Sequence, residues 1–134
     1  MLKTSVIFAA GAAMVLTAPA MAQSREERAE QAFQELVEGR TAGEPQACIS
    51  AFNSNRLRLE EGVGIVYEQG DTLWVARAQR PEALDRWDLP IIERRGSRLC
   101  SIDVTRTIDR SSGMFSGVLF LDDFVPYTKN ESEG

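Results

Sequence analysis

The two cysteines of this chain, Cys48 and Cys100, stand 52 positions apart and are the only ones in its 134 residues. Two cysteines allow a single intramolecular disulfide, and a bond between them would close a long loop. In the chain-entropy description such a loop adds roughly 4 kcal/mol to the free energy of unfolding, a large share of a small domain's stability. A redox-active pair is the alternative, but such pairs usually stand close together as Cys-x-x-Cys. We therefore predict a structural disulfide that the fold of this chain has to accommodate.

The N-terminal segment predicts export, which is the condition under which that disulfide would form. Lys3 supplies the positive start of a secretory signal peptide, residues 6–16 form its apolar stretch, and Ala20-Met21-Ala22 is a small-x-small cleavage site. The apolar stretch is shorter than the about 20 residues that a membrane-spanning helix needs, and no second one follows. We expect a mature chain that begins at Gln23 and lies in the periplasm or outside the cell, with no membrane span.

The mature chain has the length of one domain. Removing 22 of the 134 residues leaves 112, and we assign residues 23–128 to a single globular domain and the polar residues 129–134 to a disordered tail. Lys3 is the only charged residue of the signal peptide, so the net charge changes from −5 for the whole chain to −6 after cleavage. This charge opposes attraction to nucleic acid or anionic lipid, and we expect no nucleic-acid partner.

An amphipathic helix is predicted at the start of the mature chain. Ser24 and Glu27 fit a capping box, apolar residues follow at helical spacing, and Gly39 is typical of a helix end. The apolar residues on one face are Ala29, Ala32, Phe33, Leu36 and Val37. The opposite face carries glutamate rather than lysine, which favours docking on the domain's own sheet over docking on a membrane surface.

Beyond Pro45 the apolar periodicity changes from helical to two, which predicts strands. Gln69-Gly70-Asp71 is typical of a tight hairpin turn, and residues 80–90 interrupt the pattern, with Pro81 opening a helical turn. The predicted strands cover residues 47–52, 56–60, 64–68, 72–78, 91–95, 99–109 and 117–125. This organisation indicates an α+β, mainly β fold, in which the N-terminal helix packs on a small antiparallel sheet curled into a barrel or sandwich.

The chain contains no histidine, and this absence limits its chemistry. It excludes Ser-His-Asp and Cys-His nucleophilic catalysis and His-ligated zinc. Carboxylate chemistry by Asp122 and Asp123 remains, but adjacent residues of a strand point to opposite faces. Asp85 and Asp88 could join them as oxygen ligands for calcium, although the loop spacing typical of a calcium site is missing. We assign no catalytic residue, no metal ligand and no cofactor.

Arg106 is predicted to lie buried in an ion pair. In the predicted strand 99–109 it has the parity of the apolar residues, which are Cys100, Ile102, Val104 and Ile108. A guanidinium on an apolar face needs a carboxylate or must reach solvent. If residues 117–125 form the antiparallel neighbour, either Asp122 or Asp123 falls on the same face. We expect a salt bridge between Arg106 and that aspartate, and an anion site at Arg106 is the alternative.

Three arginines near a predicted turn form a candidate anion site. Arg94, Arg95 and Arg98 surround Gly96-Ser97, and three guanidinium groups there could hold a carboxylate or a phosphate. The commoner arrangement is a solvated turn that protects a sheet edge from pairing with other chains, and we favour it.

Trp87, Met114 and Phe115 are candidate contact residues. Trp87 stands in the irregular segment, where its indole could stack on a sugar or anchor the loop to the core. Met114 and Phe115 lie between serines and glycines in a predicted loop tip, where exposed apolar residues can mark a partner site. Anchoring to the core is the commoner outcome for such side chains, and we favour it here.

Four runs of the sequence are distinctive: residues 38–45, 48–49, 99–103 and 123–128. They resemble short exported proteins of unknown function from alphaproteobacteria. The resemblance extends from the predicted helix to Tyr127 and places the two cysteines at matching positions. It implies export and paired cysteines, and it implies no activity, ligand or catalytic residue.

We expect a small non-enzymatic binding or interaction module whose partner is another envelope protein or a small ligand. The alternative is a small hydrolase or lyase that works through carboxylates in the periplasm. An enzyme should present a concave pocket that holds an Asp or Glu with a raised pKa. A binding module should instead present a flat or convex apolar patch.

Overall fold

The computed structural model describes residues 22–131, so the predicted signal peptide lies outside the described residues except for Ala22. The helix is α1 (Arg25–Leu36), and 3-10 turns cover Ser54–Arg56 and Pro81–Ala83. The strands are β1 (Arg40–Ala42), β2 (Cys48–Ser50), β3 (Leu57–Glu60), β4 (Gly64–Gln69), β5 (Thr72–Arg77), β6 (Asp88–Glu93), β7 (Arg98–Cys100), β8 (Val104–Asp109), β9 (Phe115–Leu119) and β10 (Val125–Lys129). The helical turn predicted at Pro81 is confirmed.

A five-stranded antiparallel sheet in the order β1-β10-β5-β4-β3 forms the centre of the fold. Its middle strands β4 and β5 are a hairpin in which Gln69 pairs with Thr72. Gly70 adopts a φ of 57°, which a two-residue turn between twisted strands requires. The hairpin predicted from Gln69-Gly70-Asp71 is therefore confirmed.

The helix α1 covers one face of this sheet, as predicted. Ser24 Oγ accepts a hydrogen bond from the Glu27 backbone N at 3.1 Å, and the Glu27 carboxylate accepts one from the Ser24 N at 2.8 Å. Phe33 is buried against Val66 and Val75 of the sheet and meets the Tyr127 ring edge-on at 5.9 Å. Because the glutamate face of α1 remains exposed, docking on the sheet and not on a membrane is the arrangement observed.

Two smaller sheets cover the opposite face of the five-stranded sheet. One is the ribbon of β2 and β7, and the other has the order β6-β8-β9. The core between these layers is fully apolar at its centre. It contains Ile49, Ile65, Tyr67, Ala76, Leu99, Leu119, Leu121 and Phe124. The α+β, mainly β prediction is confirmed, but the described sheets are separate layers that do not close into a barrel.

The disulfide between Cys48 and Cys100 is present, as predicted. The two residues stand directly opposite each other in the β2–β7 ribbon. The next pair, Ile49 and Leu99, points into the core, so the disulfide lies on the outer side of the ribbon. A ribbon of two short strands is marginally stable by itself, and the covalent bond holds it closed over the core.

The single strand predicted over residues 99–109 is wrong, because a turn divides it into β7 and β8. Asp103 causes the break: its carboxylate accepts a hydrogen bond from the Cys100 N at 2.8 Å, and its own N donates to the Cys100 carbonyl at 3.0 Å. A short acidic side chain that bonds to a nearby backbone N–H competes with strand pairing. The strand predicted over residues 117–125 is likewise divided, since β9 ends at Leu119 and β10 begins at Val125.

Two further strand limits differ from the prediction. β6 begins at Asp88, inside the segment predicted to be irregular, and it includes Pro90. Proline is tolerated there because β6 is an edge strand, where its missing N–H breaks no ladder bond. Lys129, predicted to start a disordered tail, is the last residue of β10, and the Asn130 N donates to the Gly39 carbonyl at 2.9 Å.

Candidate functional site

Strand β8 turns its apolar side outward and its polar side inward. Thr105 and Thr107 are almost fully buried, whereas Val104 and Arg106 are exposed. Thr105 lies between Ile92 of β6 and Leu119 of β9, which contact the core, and Thr107 lies between Pro90 and Gly117. Threonine suits this inner layer because its branched side chain is compact and its hydroxyl finds local acceptors. The prediction that Arg106 lies on the buried face is therefore wrong.

Arg106 pairs with Glu93 of the neighbouring strand β6 and with neither Asp122 nor Asp123. Both side chains of the pair are about half exposed. Asp123 instead accepts a hydrogen bond from Ser101 Oγ at 2.7 Å, and the Asp122 backbone N donates to the Arg77 carbonyl at 2.8 Å. Because β9 ends before the two aspartates, they lie in the connection to β10 and not beside β8.

We expect Arg106→Ala to change the free energy of unfolding by less than about 1 kcal/mol, because exposed ion pairs contribute little to stability. Glu93→Ala is the matched variant and should behave the same way. Urea denaturation of both variants measures the effect. A loss of about 3 kcal/mol in either would show that the pair is buried and that this account of β8 is wrong.

The outer side of the β6–β8–β9 sheet is an exposed and largely apolar surface, which we name the apolar face. Its residues on the strands are Leu89, Ile91, Glu93, Val104, Arg106, Ile108, Phe115 and Val118, with Phe120 just beyond β9. Ile102 and Met114 extend it through the turns at its two ends. Its central row runs across the three strands from Ile91 through Arg106 to Val118. A bulge at Ser116 brings Phe115 opposite Ile108.

Most of the exposed apolar surface in residues 22–131 is concentrated on this face. Nine large apolar side chains are exposed in that part of the chain, and seven of them belong to the apolar face. These seven are Ile91, Ile102, Val104, Met114, Phe115, Val118 and Phe120. With on the order of 200 Å² for a fully exposed large side chain, they present on the order of 800 Å². The largest apolar patch of a typical monomeric protein is about 300–600 Å².

The charges around the apolar face differ between its two ends. Near Ile102 lie three arginines and one aspartate: Arg94, Arg95, Arg98 and Asp103. Near Met114 the aspartates outnumber the arginines: Asp85, Asp88 and Asp109 against Arg86 and Arg110. Within the face itself, Glu93 and Arg106 neutralise each other. The surroundings of the face are therefore neutral at its centre, positive at the Ile102 end and negative by one charge at the Met114 end, where Asp88 and Asp109 alternate with the face residues and point to the other side of the sheet.

Asp109 and Asp88 are held in place at the negative end. The Ser111 hydroxyl and the N–H and hydroxyl groups of Ser112 donate to the Asp109 carboxylate and lower its pKa. Ser116 Oγ donates to the Asp88 carboxylate at 2.7 Å. The lowered pKa keeps the Asp109 carboxylate charged near neutral pH, and the hydrogen bond from Ser116 holds the Asp88 carboxylate in position.

The three arginines considered above as a candidate anion site lie around an open depression at the positive end. Arg94 Nη1 donates to the Ala51 carbonyl at 2.7 Å and so connects β6 to the residue that follows β2. Arg95 and Arg98 are exposed beside Gly96, in line with a solvated turn. Together with Ile102 they line an open depression of about 730 Å³.

Trp87, Met114 and Phe115 are exposed and are not anchored in the core. Met114 and Phe115 are 70% and 65% exposed, so the anchoring interpretation favoured above is wrong for both. Trp87 is half exposed in the turn before β6, where the Arg86 guanidinium lies 5.5 Å from the centre of its ring. The Trp87 carbonyl accepts a hydrogen bond from the Arg110 N at 2.7 Å, which fixes the Trp87 backbone beside the end of β8.

Two further cavities are present, and one of them is bordered by Val118 and Phe120 of the apolar face. A cavity of about 480 Å³ between α1 and the Pro81–Ala83 turn mixes Arg25 and Arg28 with four carboxylates. A smaller one, about 210 Å³, lies between β9 and Leu84. The smaller volume is below the about 300–1,000 Å³ of typical ligand pockets. Asp122 and Asp123 line neither cavity.

The apolar face was not predicted from the sequence, although the sequence contains a pattern that indicates it. The runs Ile91-Ile92 and Val118-Leu119-Phe120-Leu121 are apolar at both parities. Continuous apolar runs are typical of strands that are covered on both sides. In the structure one side of these strands meets the core, and the other side is the apolar face.

In residues 22–131 no helix has the length and hydropathy of a membrane span, and no cluster of three or more Asp, Glu or Cys side chains could hold a metal ion. Comparison with known proteins finds no significant match to a family model, a curated protein or a solved structure. The apolar face and its surroundings are therefore the features from which a function can be inferred.

Proposed function

We propose that this protein is an exported interaction module that binds a protein partner through the apolar face. The observation that carries the proposal is the orientation of β8, which buries Thr105 and Thr107 and exposes Val104 on the same side of the sheet as Ile91 and Val118. Burial of apolar surface stabilises a protein by roughly 25 cal/mol for each Å², and exposed apolar side chains lack this stabilisation. A surface of this size is typical of a face that a partner covers.

The open geometry of the face also supports a protein partner over a small ligand. Small molecules bind in concave sites that enclose most of their surface. The apolar face consists of rows across three strands, with Arg106 at its centre and the small side chains of Val104 and Val118 beside it. Such a surface suits another extended surface, such as a sheet or a helix of a second protein.

Carboxylate catalysis has less support. The Asp123 carboxylate is engaged by Ser101, and Asp122 lies outside the cavities described above. Hydrogen bonds lower the pKa values of Glu30 and Asp109, whereas a general acid needs a raised pKa. The Glu30 shift comes first from Gln34 and then from Arg77.

Export to the periplasm or the medium is the other part of the proposal. The predicted signal peptide and the resemblance to exported alphaproteobacterial proteins support it. The disulfide agrees with it, because such bonds form and persist in oxidising compartments.

Site-specific photo-crosslinking in intact cells tests the proposed function. A photoreactive phenylalanine analogue at position 118 should give a crosslinked protein product in the cell envelope or the medium. The same analogue at position 52 is the matched control, because Phe52 is 76% exposed and lies outside the apolar face. Equal crosslinking at both positions, or none at position 118, would contradict the proposal. Cleavage before Gln23, read from the mass of the recovered chain, reports export in the same sample.

A further inference from the structure

We infer that the apolar face binds an acidic segment of its partner protein, with carboxylates of that segment on Arg95 and Arg98. The inference rests on the proposed function and names the chemistry of the occupant. The observation that supports it is a depression that joins the apolar face to these two guanidinium groups.

The open depression of about 730 Å³ is continuous with the apolar face. Glu93, Ile102 and Val104 belong to the face, and they line the depression together with Arg95 and Arg98. A partner segment that covers Ile102 and Val104 therefore comes within reach of both guanidinium groups.

The side chains around the depression carry a net positive charge. Counting the face residue that pairs with Glu93, four guanidinium groups stand against two carboxylates: Arg94, Arg95, Arg98 and Arg106 against Glu93 and Asp103. The excess is two positive charges, on a molecule whose predicted mature form carries a net charge of −6. A local charge opposite to that of the rest of the molecule favours an anionic group at this place.

Arg95 and Arg98 provide this excess. Of the other two guanidinium groups, Arg94 is held by a backbone carbonyl and Arg106 by Glu93. Within residues 22–131, no carboxylate lies at ion-pair distance from Arg95 or Arg98. Both guanidinium groups are therefore open to carboxylates of a partner.

The backbone on either side fixes the positions of Arg95 and Arg98. Arg98 lies in the β2–β7 ribbon on the same side as Cys100, so the disulfide holds the strand that carries it. The Ser97 carbonyl accepts a hydrogen bond from the Ala51 N at 2.8 Å, which connects the turn between the two arginines to the end of β2. Groups whose backbone is already fixed lose less conformational freedom when a partner binds.

An acidic protein segment fits this arrangement better than an anionic membrane or a nucleic acid does. Guanidinium groups bind carboxylates and phosphates through two parallel hydrogen bonds. A membrane or a nucleic acid, however, extends its negative charge past the depression and meets the acidic remainder of the molecule. Screening over about 8 Å at physiological ionic strength confines the attraction to groups near the depression. One or two carboxylates beside apolar side chains meet the arginines without that repulsion.

Charge reversal combined with photo-crosslinking at position 118 tests the inference in intact cells. Arg95→Glu together with Arg98→Glu should lower the yield of the crosslinked partner by at least about 10-fold, because it replaces attraction of the partner's carboxylates by repulsion. The yield is expressed relative to the amount of mature chain recovered. Both side chains are exposed, so the purified variant should melt within about 3 °C of the parent.

Arg25→Glu together with Arg28→Glu is the matched control. It reverses two exposed arginines at the same spacing on α1, which covers the other face of the central sheet. The net charge changes by the same amount as in the test variant, so a general effect of charge would appear in both. We expect the crosslinking yield of the control to stay within about twofold of the parent.

The composition of the crosslinked peptide gives a second test that leaves both arginines in place. A photoreactive phenylalanine analogue at position 102 stands at the depression, because Ile102 lines it and is 88% exposed. Mass spectrometry should find at least two Asp or Glu residues of the partner within about five residues of the attachment point, a reach of roughly 17 Å in extended chain. A peptide without acidic residues there, or a lipid product, would overturn the inference.

The two positions separate failure of the inference from failure of the proposed function. If the parent gives a product at position 118 and reversal of Arg95 and Arg98 leaves its yield unchanged, the interaction module is retained and the acidic segment is rejected. If the parent gives no product at position 118, the proposed function itself fails.

Discussion

A variant that carries both Cys48→Ser and Cys100→Ser is expected to melt about 15 °C below the parent, because it loses roughly 4 kcal/mol of stability. The disulfide closes a loop of 52 positions, which restricts the unfolded chain strongly. In the folded state it also clamps a ribbon of three residue pairs. Without it, the short ribbon has little to keep Ile49 and Leu99 over the core.

Differential scanning calorimetry of the double variant and of the reduced parent tests this expectation. The parent in excess dithiothreitol should melt at the same temperature as the double variant, since both lack the same bond. Alkylation should label the parent only after reduction. If the double variant melts within about 3 °C of the oxidised parent, the ribbon is stabilised by its other contacts and the disulfide is not a main source of stability.

The parts of the fold that could be predicted from the sequence depend on interactions between near neighbours. The capping box joins Ser24 to Glu27, and the hairpin turn depends on the conformational freedom of Gly70. The disulfide was also predictable, although Cys48 and Cys100 are distant in sequence, because two cysteines leave one possible intramolecular pair. In each case the physical cause lies within a few residues or within the composition itself.

The orientation of β8 could not be predicted in the same way. Alternation divides a strand into two sides but does not say which side faces inward. For β8 the apolar side was taken as the inner one, yet the contacts of Thr105 with Ile92 and Leu119 bury the polar side. Arg106 was itself a sign of the observed orientation, since a guanidinium is far more stable on an exposed side than on a buried one.

The candidate site depends on this same inversion, so it could not be derived without the tertiary structure. Met114 and Phe115 were identified as possible contact residues from their loop-like surroundings. Ile91, Val104 and Val118 were not, because each resembles an ordinary core residue. Their common exposure follows only from the pairing of β6, β8 and β9, which places the three side chains on one surface.

Gly64→Ala is expected to have the largest effect of any single substitution considered, with a loss of at least about 4 kcal/mol and a chain that is largely unfolded at 37 °C. A Cβ at this position would lie 2.1 Å from the Ala76 carbonyl oxygen and 2.7 Å from the Ala78 N. Both are backbone atoms, one in β5 and the other in the residue just beyond it, so relief requires β4 and β5 to separate. The φ of 152° adds strain for a residue with a side chain.

Gly39→Ala is the matched control for Gly64→Ala, because it changes the same residue type at a positive φ of 71° but leaves the new Cβ with no atom within 4 Å. We expect it to cost about 1 kcal/mol, which is the conformational penalty alone. The difference between the two variants in urea denaturation therefore isolates the close approach of β4 to β5 from the cost of the backbone conformation. Similar losses in both variants would mean that the central hairpin can widen to accept a methyl group. In that case β4 and β5 are joined less tightly than their pairing indicates. These two strands contact the helix on one side and the inner layer beneath the apolar face on the other.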